Sequence, residues 1–269
     1  MSPAVTAARV AAESAAWVWY PDDADVVRND RLVLVRWPDY FGAPPNLLRV
    51  SGSAPVDGVL DEALAQVRAW GRDELVVRVG LDAPAGLEDA LAARGARVHE
   101  TLDVLALDLG DGVPGGPGLD VPSDVEVRWQ ADEATTRDAL RVAAEAFEEG
   151  AVPSDERVGE LAVQAAADHE AGRASTAVAY LDGRPVGSGG LTLAGAGGHD
   201  VARLWGGGVV PEARGRGVYR AVLAARLDLA RTRGASMALV KGRVETSGPI
   251  LRRAGFAVFG RERSHVLPA

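Results

Sequence analysis

Apolar and polar positions follow two periods along this chain. Leu60, Leu64 and Val67 mark one helical face within residues 56–70. Leu140, Ala143, Ala144 and Phe147 stand at i, i+3, i+4 and i+7. Val158, Leu161, Ala162 and Ala165 repeat that stripe behind Ser154, a residue type suited to cap a helix N-terminus. Further helices are predicted at 6–16, at 87–93 with Gly95 as the stop, at 219–232, and at 248–253 with Pro249 in the first turn and Gly255 behind it. Short apolar runs between turn residues predict strands at 31–37, 46–51, 74–79, 97–109, 125–129, 176–181, 185–193, 201–210, 237–242 and 256–267. Asp182-Gly183 joins two of them as a hairpin turn.

Residues 110–123 read GDGVPGGPGLDVPS, too rich in glycine and proline for a regular element. The expected organisation is a first domain at 1–109, a linker at 110–123 and a second domain at 124–269. Each half alternates helices with strands, so the fold class is α/β with a mixed sheet.

One turn carries chemistry. An apolar run reaches Val209, Val210 and Pro211, and Arg214-Gly215-Arg216-Gly217 then leads into Val218 and Tyr219 at the head of a helix. A strand, a glycine turn and a helix N-terminus together aim backbone N–H groups and a positive dipole end at an anion. Two arginines add charge that suits phosphate oxygens. The same pattern also suits an ordinary strand-to-helix turn with solvated arginines. It is neither G-x-G-x-x-G nor a P-loop, because no G-K-[ST] follows.

V-x-P-x-x-R-G-x-G opening a helix resembles the pyrophosphate loop of the GNAT acetyltransferase superfamily. The order β-α-α-β-β-β-α-β-α-β over residues 124–269 is similar to that fold element for element. The resemblance implies a GNAT-like acyltransferase fold in the C-terminal half and acetyl-CoA as co-substrate. It places the pantetheine arm along the backbone of Val209 and Val210, where the fourth and fifth strands splay, and the pyrophosphate on the amides of Arg214, Gly215, Arg216, Gly217 and Val218. Tyr219 stands where the family has glycine or alanine. Arg220, Lys241, Arg243, Arg252 and Arg253 are the cations from which one could meet the 3′-phosphate, each reading equally as a solvated surface cation. An internal echo links the halves: Trp70-Gly71 before Leu75-Val76-Val77 parallels Arg233-Gly234 before Ala238-Leu239-Val240, and Leu91 to Gly95 parallels Leu251 to Gly255. The first half therefore resembles a degenerate GNAT-like α/β domain. Its corresponding turn, RVSGSAPVDGVL, lacks R-x-x-G-x-G, so it serves as a scaffold.

Acetyl transfer to an amine needs a base to take the amine proton. Asp200, near the entrance of the fourth strand, is the expected base, with Glu148, Glu149 and Glu245 as other carboxylates in reach. The family often uses a tyrosine four residues before the closing Gly-Phe as the acid toward the thiolate, but Leu251 occupies that place. Either the thiolate leaves unaided, since a thiol is a fair leaving group, or another group supplies the proton, with Tyr219 and Ser247 as the nearest candidates and helix capping as the competing role of Ser247. Solvated loop carboxylates would look the same in sequence. The Trp37–Phe41 loop either covers an acceptor or packs between domains.

Composition narrows the partners. Across 269 residues the formal net charge is -9, which argues against nucleic acid. There are no cysteines, and the four histidines have no metal-ligand spacing, so no metal is expected. The N-terminal stretch lacks the pattern of a secretion signal, and no apolar run approaches a membrane span. A cytoplasmic N-acetyltransferase for a small-molecule amine is the expectation. A non-catalytic acyl-CoA-binding or regulatory module is the alternative, and the loop serves either.

Overall fold

Thr6 opens the first helix, its hydroxyl oxygen accepting from the Arg9 N–H at 3.2 Å. In the computed structural model, which describes residues 4–51, 53, 55–110, 119–148, 152–195 and 199–269, the elements run in chain order. They are α1 (Ala7–Ala15), β1 (Asp25–Arg28), β2 (Leu32–Arg36), β3 (Asn46–Val50), α2 (Val56–Ala69), β4 (Glu74–Val79), α3 (Leu87–Ala93), β5 (Arg97–Asp108), β6 (Val125–Trp129), α4 (Glu133–Phe147), α5 (Asp155–Glu170), β7 (Ala174–Leu181), β8 (Arg184–Ala194), β9 (Val201–Val209), α6 (Val218–Thr232), β10 (Met237–Arg243), α7 (Ser247–Arg253) and β11 (Ala257–Pro268). Single 3-10 turns lie at Asp39–Phe41 and Pro211–Ala213. The four residues of β1 escape the sequence pattern because none is fully buried, so no apolar face is written into them.

The chain forms two compact units. One is built from Thr6–Leu105, Gly242–Ile250 and Val258–Ala269, and the other mainly from Ala106–Lys241 and Leu251–Ala257. This differs from the sequence division at 1–109 and 124–269. The closing strand, expected as the last element of the second domain, pairs antiparallel with β4, from Arg263 opposite Val79 to Pro268 opposite Glu74. Leu267 thereby enters one core with Leu47, Leu60, Leu75 and Leu91. Each such leucine stabilises that core by about 1.5–3 kcal/mol. Within this unit the strand order is β1-β2-β3-β4-β11-β5.

The other unit carries the loop of interest. Its strands lie in the order β10-β9-β8-β7-β6. The pairs from β6 to β9 are antiparallel, while β9 and β10 are parallel. Side chains alternate across a strand. Ala177, Ala179 and Leu181 accordingly meet Val218, Ala221 and Val222 of α6, whereas Val178 and Tyr180 meet Ala139 of α4. Asp132 caps α4, its carboxylate accepting from the Thr135 N–H at 2.8 Å, and that bond holds its pKa below the usual carboxylate value. Ser154 caps α5 as the sequence implies.

Among the described residues no helix is long and apolar enough to cross a membrane. No group of three or more His, Cys, Asp or Glu among them is placed to hold a metal ion.

Candidate active site

Parallel pairing between β9 and β10 runs only from Val201 opposite Met237 to Leu204 opposite Val240. β9 continues five residues further, to Val209, against β8 alone. The two strands thus splay after Leu204. The opening coincides with an irregularity on the β8 side. Ser188 faces Gly208 and Gly190 faces Trp205, so Gly206 and Gly207 together oppose Gly189. That is a β-bulge, and Gly206 turns through it at φ 59°, a left-handed value that glycine adopts without steric cost. The half-exposed Trp205 lies over Gly190, where a methyl group would run into its ring, and its Nε1 donates to Thr192 Oγ1 at 2.9 Å. Gly190 and Trp205 are thus one feature, a large ring and the missing side chain that admits it.

The splayed end of β9 feeds the glycine loop. Gly215 and Gly217 adopt φ 76° and 80°, and α6 begins at Val218 with no side-chain cap. An α-helix leaves its first N–H groups without intrahelical partners. With no capping side chain, these donors and the positive end of the dipole remain turned toward the loop. Such a helix end has the donors and the dipole sign that suit an anion.

The two arginines have different tasks. Arg214 Nε donates to the Val209 carbonyl at 3.2 Å and its Nη2 to the Ala146 carbonyl at 3.3 Å. Its charge holds β9, the loop and the end of α4 together. Arg216 remains largely exposed, 3.7 Å from Asp124. Of the backbone groups expected along the pantetheine arm, the Val210 N–H already donates to the Val186 carbonyl at 3.0 Å and the Val209 carbonyl accepts from Arg214. Those two groups are engaged within the fold. Arg220 lies against Gly217, its Nη2 2.9 Å from where a methyl there would sit. Arg243 is in the other compact unit and donates to Glu100 at 2.6 Å.

Tyr219, the departure from glycine or alanine, is accounted for by a glycine across from it. A methyl on Gly207 would lie 3.1 Å from its Cε2 and 3.4 Å from its hydroxyl oxygen. The ring therefore rests on bare backbone at the bulge. A second tyrosine of this unit, on the face of β7 covered by α4, is committed to a carboxylate. Tyr180 donates to Asp138 Oδ2 at 2.9 Å, and burial, reinforced by that carboxylate, pushes its pKa up to about 12.

The expected base does not join this group. Asp200 precedes β9 at the end away from the splay. At about 3.3 Å per residue, the six positions to Gly206 put it roughly 20 Å from the bulge. Its carbonyl accepts from the Ser236 and Met237 amides and shapes the start of β10. Glu148 is brought in instead. Ala146 and Phe147, just before it, pack on Gly208, where a methyl would lie 2.9 Å and 3.1 Å from them. Glu148 itself is exposed and ends α4 at φ 56°, a left-handed value rare outside glycine. Strain of this kind clusters at functional sites. Glu149 lies outside the described residues. Ser247 opens α7 and falls in the other compact unit, as does Glu245.

Leu251, at the family's tyrosine position, is fully buried. A tyrosine there has no room. Leu251→Tyr is expected to cost about 1–3 kcal/mol of stability through overpacking, read as a lower urea midpoint with unchanged slope, and not to add an acid.

Arg226 is a buried cation at the bulge that the sequence reading did not single out. It stands at i+7 from Tyr219 and i+4 from Val222, on the buried stripe of α6. A charged residue on an otherwise apolar stripe was the available signal.

Residues 138–253 match the family described as the GNAT acetyltransferase family. No curated protein matches the chain. Among solved structures, a GCN5-related N-acetyltransferase from Kribbella flavida is similar over 98% of this chain and 96% of its own, at 19% identity and a TM-score of 0.66. A tandem GNAT protein from the clavulanic acid biosynthesis pathway is similar over 93% and 85%, at 17% identity and 0.62. A GCN5-related N-acetyltransferase from Sphaerobacter thermophilus is similar over 91% and 76%, at 20% identity and 0.62.

Proposed function

From the premise that residues 138–253 are a GNAT acetyltransferase domain, a family of acyltransferases, we propose that this protein is an acetyl-CoA-dependent N-acetyltransferase acting on a small-molecule amine in the cytoplasm. One observation carries the reading: the left-handed Gly215 and Gly217 lead into an uncapped helix N-terminus beside the unpaired length of β9. Bound there, acetyl-CoA supplies an acyl group activated as a thioester.

The residues divide the work. The amides from Gly215 into the first turn of α6 hold the diphosphate, and Arg216 adds charge at its edge. Arg214 keeps the loop, the splayed strand and the end of α4 in one arrangement. Glu148 takes the proton of the acceptor amine, directly or through water. Tyr219 stands at the bulge as the proton donor to the leaving sulfur. Trp205 forms an aromatic wall at the opening. The N-terminal half acts as scaffold, since its counterpart turn lacks the R-x-x-G-x-G pattern.

Leu251 favours a second reading, a non-catalytic acyl-CoA-binding module, because the family's acid position is an apolar core residue. Thiol release from acetyl-CoA, followed across a panel of small amines, decides between them. Amine-dependent release is expected. One acetyl-CoA bound per chain with no release for any amine would leave the binding module.

A further inference from the structure

Arg226 is 2 % exposed. A guanidinium out of water must have its donors satisfied, or the fold is destabilised. Its partners are three backbone carbonyls and one phenol. Nε donates to Val222 at 3.2 Å, and Nη1 donates to Gly190 at 3.2 Å and to Trp205 at 3.3 Å. The Tyr219 hydroxyl comes to the same place: its oxygen and Nη2 lie 3.4 Å and 3.3 Å from where a methyl on Gly207 would sit, which sets the phenol beside the guanidinium. Burial lowers the pKa of the guanidinium and the Tyr219 oxygen works in the opposite direction.

The strands are built to admit this cation. A methyl at Gly189 would lie 2.9 Å from Cζ, and one at Gly207 would lie 3.3 Å from Nη2. The missing side chains on β8 and β9 are the space that the guanidinium fills. Its two strand acceptors, Gly190 and Trp205, are the residues that face each other across the bulge. Arg226 therefore ties α6 to both strands where β9 departs from regular pairing.

The chemistry of the pair sets a direction. Guanidinium has five N–H donors and no acceptor. The phenol oxygen of Tyr219 must accept from it, so the phenol's own hydrogen is excluded from that side. We infer that Arg226 is a positioning residue: it turns the Tyr219 O–H away from the buried cation, into the opening at Gly207, and so makes Tyr219 the proton donor of acyl transfer. This rests on the acyltransferase reading. The balance is closed. The acyl–sulfur bond breaks with its electron pair on sulfur, and the Tyr219 proton completes the thiol. The acceptor nitrogen bonds the acyl carbon and loses its proton to Glu148, which releases it to solvent as solvent returns a proton to the phenolate.

The test uses Tyr219→Phe, Arg226→Met, Arg226→Lys and the double variant Tyr219→Phe/Arg226→Met in the full chain. Each of the first two is expected to lower kcat about a hundredfold, with acetyl-CoA affinity by calorimetry unchanged. The double variant should be no slower than either, because the two residues act as a unit. Arg226→Lys, which keeps a cation and donors, should recover part of the rate. Without any acetyl-CoA, the 13Cζ resonance of Tyr219, assigned by its loss in Tyr219→Phe, should move in Arg226→Met and return toward the parent position in Arg226→Lys. Losses that multiply in the double variant, or a resonance that Arg226→Met leaves in place, overturn the inference. A parent that releases no thiol with any amine overturns the acyltransferase reading and the proton-donor role together, while the resonance still decides whether Arg226 positions Tyr219.

Discussion

Gly215→Asp is expected to abolish measurable acetyl-CoA binding, while Gly215→Asn should keep it close to the parent value. Both variants place a side chain at φ 76°, and aspartate and asparagine are the residues that tolerate that region best after glycine. A methyl at Gly215 meets no atom within 4 Å, so neither variant clashes. The pair differs only in charge. A unit charge about 5 Å from a phosphate charge costs about 3 kcal/mol at an effective dielectric of about 20, a factor above a hundred in affinity. Gly217 is a poorer probe, because any side chain there meets Pro122 Cγ at 2.5 Å and packing failure would imitate lost binding. Calorimetry on both Gly215 variants gives the answer. Equal binding by Asp and Asn would remove the anion from the loop.

Glu148→Gln is expected to lower kcat about a hundredfold and to leave the KM for acetyl-CoA unchanged. Glutamine keeps the length and shape of the side chain and loses the ability to take a proton. The substitution sits at an exposed position, so the fold should not suffer. Glu148→Gly supplies the control for backbone strain. It relieves the left-handed φ of 56°, which costs a side-chain-bearing residue about 1 kcal/mol, and should lose rate while gaining stability. Asp200→Asn, at the far end of β9, should leave turnover as it is. Loss of rate in Asp200→Asn with none in Glu148→Gln would reverse the assignment.

The carboxylates show why the site was only partly legible. Asp200 and Glu148 are both acidic residues beside predicted elements, and sequence alone ranks Asp200 first because it precedes the strand that leads to the loop. A strand advances about 3.3 Å per residue. Proximity in sequence to the start of β9 is therefore distance from its end. Glu148 is far from the loop in sequence and arrives through Ala146 and Phe147 on Gly208 and through Arg214 on the Ala146 carbonyl. The arginines teach the same point. Arg214 and Arg216 are alike in sequence, yet one binds two carbonyls of the fold and the other stays largely in solvent.

What the sequence by itself determined was local. The cap at Ser154, the hairpin at Asp182-Gly183, the stripes of α2 and α5, and the glycine turn before α6 all rest on preferences acting within a few residues. By contrast, α4 buries Thr135, Thr136, Ala139 and Val142 rather than the expected stripe from Leu140 to Phe147, because the sheet it packs on selects the face. The tertiary structure alone decided which distant groups meet. It paired β11 with β4, since an apolar strand carries no local mark of its partner and burial of Leu267 beside Leu75 selects it. It ended the β9–β10 pairing at Leu204 and put the bulge at Gly206, where the sequence shows only three glycines in a row. It also enclosed Arg226, because the room for a guanidinium exists only when Gly189, Gly207 and one face of α6 come together. Such room belongs to three segments at once and is written in none of them separately.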